Sequence, residues 1–254
     1  YKQALKIKPD YVDAYNNLGA AQKGKGDLDA AIDSYQQVLK IKPDYADAHY
    51  NMGNALKDTG DLEAAISSFN KALKIKPDYA EAYNNMGNAL KDTDDLEAAI
   101  DSFNKALNIR PDYVDAYNNL GAVLQDKGDL DAAINSYQQA LKIKPDYAEA
   151  HYNMGNALKD KGDPEAAIGS FNKALKIKPD YAEAYNNMAN ALKDKGDFEA
   201  SIDSYTKALK IKPDYAEAYY NMGNVLKDKG DPEAAIDSFN KAIKIKPDYA
   251  EAHN

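Results

Sequence analysis

Three histidines, His49, His151 and His253, stand 102 residues apart along the chain. Imidazoles can act as bases or metal ligands, but only as members of a cluster, and equal spacing this wide assembles none. Each occupies a place where other copies of a 34-residue unit carry Tyr, so each reads as a packing residue. Ser34, Ser68 and Ser102 recur at the same interval, with no histidine in register to act as a base. Most carboxylates recur likewise, and an active site is not built once per repeat. One acidic group, Asp92, Asp94 and Asp95, departs from the pattern. It lacks the ligand order of an EF-hand, and Asp94 stands where other copies have Gly, so it is expected to take a left-handed backbone conformation. Cysteine is absent, which excludes thiolate chemistry. The expectation is no catalytic residue, no metal, no cofactor and no enzymatic activity.

The recurring asparagines are more informative. Each copy is numbered so that its Pro-Asp-Tyr proline is position 32. Position 6 is then Asn in seven copies: Asn17, Asn51, Asn85, Asn119, Asn153, Asn187 and Asn221. Position 9 is Asn in five: Asn54, Asn88, Asn156, Asn190 and Asn224. Positions 2, 6, 9 and 13 form one stripe along a helix. Asn is a mediocre helix former, and its amide offers both donors and an acceptor. A ladder of such amides suits the backbone of an extended peptide whatever its side chains. The competing reading is structural, with position 6 bonding a neighbouring helix.

The elements that carry these residues follow from the repeat. Pro-Asp-Tyr begins at Pro9, Pro43, Pro77, Pro111, Pro145, Pro179, Pro213 and Pro247, always 34 residues apart. The expected organisation is a single array. A partial repeat (1–11) precedes complete repeats 12–45, 46–79, 80–113, 114–147, 148–181, 182–215 and 216–249, and 250–254 begins another. Repeat 1 matches repeat 4 at 28 of 34 positions but repeat 2 at only 20, the mark of a duplicated three-repeat block.

Each repeat reads as two helices. In repeat 2 the first is expected from Ala46 to Thr59, with Asp44 as N-cap and Asp47 completing a capping box. Gly60 follows as a residue able to take positive φ. Asp61 caps the second helix, which Pro77 stops. Pro164 and Pro232 fall at N1 of their helices, where a missing N–H costs nothing. The expected buried stripes are Ala48, His49, Met52, Gly53, Ala55 and Leu56 on the first helix. On the second they are Leu62, Ala65, Ile66, Phe69, Ala72, Leu73 and Ile75. Stripes this wide require each helix to pack on its pair-mate and on the next repeat, giving an all-α solenoid.

The charge of −9 disfavours nucleic acid and anionic membranes as partners, and no apolar run approaches the length of a transmembrane helix. No signal peptide is visible, and the compartment stays unknown. The Lys-x-Lys pairs, such as Lys40 and Lys42, read as compensation of helix dipoles. Positions 2, 12 and 13 together carry −7 over seven repeats, which disfavours a strongly acidic ligand and leaves a neutral to basic one. Tyr45, Tyr79 and Tyr113 at position 34, and Tyr50, Tyr152 and Tyr220 at position 5, either border the groove or pack helix entries. The acids of position 2 read as helix-capping N3 residues.

Tyr15-x2-Leu18-Gly19, Ala31, Tyr35, Val38 and Pro43 resemble the tetratricopeptide repeat (TPR) signature, and the frame recurs through all seven repeats. The resemblance implies a right-handed superhelix with first helices lining the concave face. The asparagine pattern is similar to the TPR arm of O-GlcNAc transferases, where position-6 asparagines line the lumen and hold substrate backbone. It differs from the TPR class that clamps chaperone C-termini with Lys at positions 2 and 5 and Arg at 6. Here position 2 is always acidic and position 5 is Asn or Tyr. The implied function is a non-enzymatic protein-protein interaction scaffold that binds an extended peptide in its groove. The alternative is the substrate-recruiting arm of a larger enzyme such as a glycosyltransferase. Weak end-to-end self-association through uncapped termini is also expected.

Overall fold

Aspartate and proline fix the second helix of each repeat. The computed structural model describes residues 10–247. In it, Asp27, Asp61, Asp95, Asp129, Asp163, Asp197 and Asp231 each accept a hydrogen bond from the backbone N–H three residues on. Each thereby satisfies one orphan donor of a helix start. The described residues form fourteen helices and no strand. Up to Lys127 these are α1 (Val12–Gly24), α2 (Leu28–Ile41), α3 (Ala46–Thr59), α4 (Leu62–Ile75), α5 (Ala80–Asp92), α6 (Leu96–Ile109) and α7 (Val114–Asp126). A second compact unit starts at Gly128. It holds α8 (Leu130–Ile143), α9 (Ala148–Asp160), α10 (Pro164–Ile177), α11 (Ala182–Asp194), α12 (Phe198–Ile211), α13 (Ala216–Lys229) and α14 (Pro232–Ile245). In each unit every helix packs against the next, first helix on second and second on the following first, in solenoid fashion. The first and last few residues, with His253 and both expected raw ends, lie outside the described residues.

In five repeats the pair-mates meet where glycine faces an aromatic ring. A Cβ built on Gly155 would stand 2.6 Å from Phe171, and one on Gly53 would stand 2.7 Å from Phe69. No real Cβ contact is that short, so only glycine lets the helices close at these places. The rings are fully buried, as are the alanines beside them: Ala65 and Ala72 around Phe69, Ala167 and Ala174 around Phe171. Each ring contributes about 1.5–3 kcal/mol by burial. Ser68, Ser102, Ser136, Ser170, Ser204 and Ser238 are buried and donate to the carbonyl four residues back, at 2.8–3.1 Å. Their hydroxyls are spent on the backbone.

Two local expectations fail. The first helices are not capped by side chains. Tyr45 is the N-cap of α3 and makes no side-chain cap bond, so neither Asp44 nor a capping box with Asp47 starts the helix. Asp47 and its counterparts lie at N2, one residue earlier than supposed. The isoleucine of position 30 is not core either. Ile75 is 39 % exposed, and Ile41, Ile109, Ile143, Ile177, Ile211 and Ile245 behave alike, because the last turn of the second helix runs past the edge of its neighbours. The turn between helices does follow expectation. Gly60 has φ +85°, and Asp94 takes its place in repeat 3 with φ +64°.

Candidate functional site

Positions 5, 6 and 9 of the first helices face the first helix of the neighbouring repeat, and their amides bond across that seam. In the first unit the Asn51 amide nitrogen donates to Asn16 Oδ1 at 3.2 Å, and Asn119 donates to Asn84 Oδ1 at 3.1 Å. Between them Asn85 donates twice, to the Tyr50 hydroxyl at 3.0 Å and to Asn54 Oδ1 at 2.8 Å. Asn84 in turn donates to Asn85 Oδ1 at 3.1 Å. The second unit repeats this geometry three repeats later. Asn187 donates to the Tyr152 hydroxyl at 3.0 Å and to Asn156 Oδ1 at 2.8 Å, and Asn186 donates to Asn187 Oδ1 at 3.0 Å. Asn190 Oδ1 accepts from the Tyr205 hydroxyl.

Several members of the stripe are therefore tied to one another across the seams. Asn54 meets Asn85, and Asn156 meets Asn187. Asn17 is exposed; Asn51, Asn54, Asn85, Asn88, Asn119, Asn153, Asn156, Asn187, Asn190, Asn221 and Asn224 are half-buried. The sequence singles out only the tyrosines of position 5 as groove candidates, yet Asn16, Asn84 and Asn186 are partners in the network. The signal was present in the sequence. Position 5 is Asn or Tyr in every complete repeat, and both residue types can accept a bond from an amide. Asn186 is fully buried, and its Oδ1 has no hydrogen-bond partner among the described residues.

Charges bordering this stripe are paired. Lys23 meets Asp58 at 2.6 Å, Lys91 meets Asp126 at 3.1 Å and Lys193 meets Asp228 at 3.5 Å, each joining position 12 of one repeat to position 13 of the next. Such exposed pairs contribute about 0–1 kcal/mol each, but they neutralise one another locally. The position-2 acids also have partners. Tyr79 hydrogen-bonds Asp47, and Tyr45 hydrogen-bonds Asp13. Glu81 pairs with Arg110, and Glu183 lies 3.6 Å from Lys212.

The second lysine of each Lys-x-Lys pair does more than compensate a dipole. Lys42, Lys76, Lys144, Lys178 and Lys212, with Arg110 in repeat 3, lie 4.1–5.0 Å from the ring centre of the following position-34 tyrosine. Burial first, and the neighbouring carboxylates after it, raise the phenol of Tyr79 above its ordinary range. Tyr181 is pushed up to about 12 by burial first, then by neighbouring Tyr152 and the Glu149 and Glu183 carboxylates. The Tyr79 ring also lies tilted 4.8 Å from that of Tyr50, and Tyr181 likewise 4.8 Å from Tyr152, which links positions 34 and 5 into one aromatic edge.

The two described histidines pack, as the spacing suggested. His49 and His151 are buried, each with Nε2 bonded to a proline carbonyl, Pro43 at 2.9 Å and Pro145 at 3.0 Å. Among the described residues no group of three or more His, Cys, Asp or Glu could hold a metal ion, and no helix is long and apolar enough to cross a membrane.

Comparison with known proteins follows this geometry. The family described as TPR repeat matches residues 1–26, 24–60, 53–94, 87–128, 124–162, 155–196 and 189–230. The family described as Tetratricopeptide repeat matches residues 216–249. No curated protein sequence matches at a significant level. Among solved structures, MamA is 34 % identical with TM-score 0.60, covering 68 % of this chain and 94 % of its own. YrrB, described as a TPR protein with an unusual peptide-binding site, is 26 % identical with TM-score 0.60, covering 74 % of this chain and 97 % of its own. A tetratricopeptide repeat protein from Parabacteroides merdae is 18 % identical with TM-score 0.74, covering 95 % of this chain and 96 % of its own, a likeness of fold.

Proposed function

Because the chain belongs to the tetratricopeptide repeat family, we propose that it is a non-enzymatic scaffold, one array of repeats that binds an extended segment of another protein along its first helices. The observation that carries this reading is the stripe of amides along the first helices, half-buried on every one after α1. At Asn51, Asn85, Asn119 and Asn187 inter-repeat bonds fix the amide before any ligand arrives, and preorganised groups lose less entropy on binding. A carboxamide has two N–H donors and an oxygen with two lone pairs, so Asn51 and Asn119, each donating one bond across the seam, keep capacity for a ligand. The peptide-binding site described for YrrB supports the same class of partner. Local pairing of Lys and Asp along the stripe favours a partner that needs no opposite charge there, neutral to weakly basic.

The test is selection from a displayed library of random peptides. Asn88 and Asn224 are half-buried on α5 and α13 and make no hydrogen bond within the described structure, so replacing both with Ala should leave the fold intact. The wild-type chain should enrich binders that the double variant releases. Equal capture by the variant, at equal melting temperature, would remove the amide stripe from the mechanism.

A further inference from the structure

Repeats 2 and 5 differ from the others at two places that belong together. Position 4 is His49 or His151 where the other complete repeats have Tyr, and position 22 is Ser67 or Gly169 where repeats 1, 3, 6 and 7 have Asp and repeat 4 has Asn. In repeats 3, 6 and 7 that Asp pairs with the lysine four residues on: Asp101 with Lys105 at 2.7 Å, Asp203 with Lys207 at 2.7 Å, Asp237 with Lys241 at 2.6 Å. In repeats 3 and 7 the same lysine lies over the position-4 ring, 5.9 Å from Tyr83 and 5.8 Å from Tyr219. The unit thus has a closed form, in which a tyrosine covers the space and a carboxylate neutralises the lysine.

Repeat 5 shows the open form. A cleft of about 330 Å³ lies between α10 and the start of α9, lined by Pro145, His151, Lys173, Lys176 and Ile177. Its walls are mostly carbon, and its lining residues include two lysines and no acidic residue. The His151 ring is anchored through Nε2, while its buried Nδ1 has no hydrogen-bond partner among the described residues. Burial first, and the charge of Lys173 besides, hold His151 below the usual imidazole range despite its bond to Pro145. A Cβ on Gly169 would meet nothing within 4 Å, so space does not forbid the missing Asp.

The geometry points to a binding site in repeat 5 for a small organic anion, an aromatic or aliphatic phosphate or carboxylate whose body lies on Pro145 and Ile177 and whose charge meets Lys173 and Lys176. A flexible lysine binds phosphate or carboxylate as a point charge, and carbon walls add burial for a ligand that inorganic phosphate would not supply. This site lies apart from the asparagine stripe and stands independently of the function proposed above. Repeat 2 carries the same residue types, Pro43, His49, Lys71, Lys74 and Ile75, beside the neutral Ser67.

The chain supplies its own controls. Gly169→Asp installs the residue that pairs with lysine at the same place in three other repeats, and His151→Tyr installs the ring found there. Both variants should fold and melt no lower than the wild type. Phenyl phosphate, inorganic phosphate and phenol are titrated separately into the intact chain, followed on the nuclear magnetic resonances of α10. Phenyl phosphate should bind with Kd of about 1 mM or tighter, and the other two probes about tenfold more weakly or worse. Either substitution should weaken phenyl phosphate by about tenfold or more, the scale of one charge-assisted contact. The proposal is overturned if phenol binds as tightly as phenyl phosphate, if Gly169→Asp leaves the affinity unchanged, or if no probe shifts α10.

Discussion

The double-donor asparagines permit a graded test of what the seam contributes. Asn187 gives two hydrogen bonds to the preceding repeat, at 3.0 and 2.8 Å, and Asn119 gives one at 3.1 Å. Each net bond contributes about 0.5–1.5 kcal/mol. Replacing Asn by Ala returns about 0.5 kcal/mol of helix propensity. The loss for Asn187→Ala is therefore expected near 1–2 kcal/mol, and for Asn119→Ala near 0.5 kcal/mol. The residues are half-buried, so water recovers part of the cost of the orphaned Tyr152 hydroxyl and Asn156 carbonyl, which places both values toward the low end. A stacked array need not unfold in one step, so the melting midpoint of the whole chain is a blunt probe. Native-state hydrogen exchange of α9 and α11 reads the seam itself. Asn187→Ala should lower protection there more than Asn119→Ala lowers protection of α5 and α7. Equal losses, or none for Asn187→Ala, would show that these bonds do not hold the repeats together.

Three further outcomes follow from the geometry. Gly155→Ala puts a Cβ 2.6 Å from Phe171 and should cost about 1–3 kcal/mol by overpacking, less up to about 1 kcal/mol of helix propensity; denaturant titration that shows stabilisation refutes the close-approach argument. Asp94→Gly relieves a residue held at φ +64° and should stabilise the α5–α6 turn by about 1 kcal/mol, checked by hydrogen exchange of those helices. The folded chain favours neutral His151 because its pKa is lowered from 6.5, so the unfolded state binds more protons and stability falls on acidification below about pH 6.5; His151→Tyr should flatten that part of the stability profile, and an unchanged profile counts against the assignment.

Much of this was legible in the sequence because proline, glycine and aspartate leave few choices. Asp61 before Leu62 and Pro77 after Ile75 bracket a helix, and the Gly at position 8 opposite Phe69 announces a close approach. The first-helix start was misread for a physical reason. Asp44 has the right chemistry for a cap, but the tyrosine after it already occupies the N-cap place, its ring held by a lysine face and a carboxylate. Ile75 was misplaced because helical period alone cannot tell the middle of a packed stripe from its overhanging end. The asparagines were found, but not their partners. Hydrogen bonds between neighbouring repeats join residues 31 or 35 apart, a separation invisible to any pattern read within one helix.

Those bonds change what the asparagine stripe can be. A ladder of free amides would offer the same face at every repeat, and any extended chain could slide along it. The structure has two kinds of seam. Where position 5 is tyrosine, as at Tyr50 and Tyr152, the next repeat's asparagine is doubly engaged and an aromatic edge stands beside it. Where position 5 is asparagine, as at Asn16 and Asn84, the next repeat's amide donates across the seam through a single bond. Tyrosine stands at position 5 in repeats 2, 5 and 7, at Tyr50, Tyr152 and Tyr220. A segment held along the first helices would therefore meet tyrosine and asparagine seams in an uneven order rather than one seam repeated every 34 residues. Sliding by one repeat would exchange an engaged amide and an aromatic edge for a less committed one. These differences between repeats would give such a segment a register that a uniform array of identical repeats would lack.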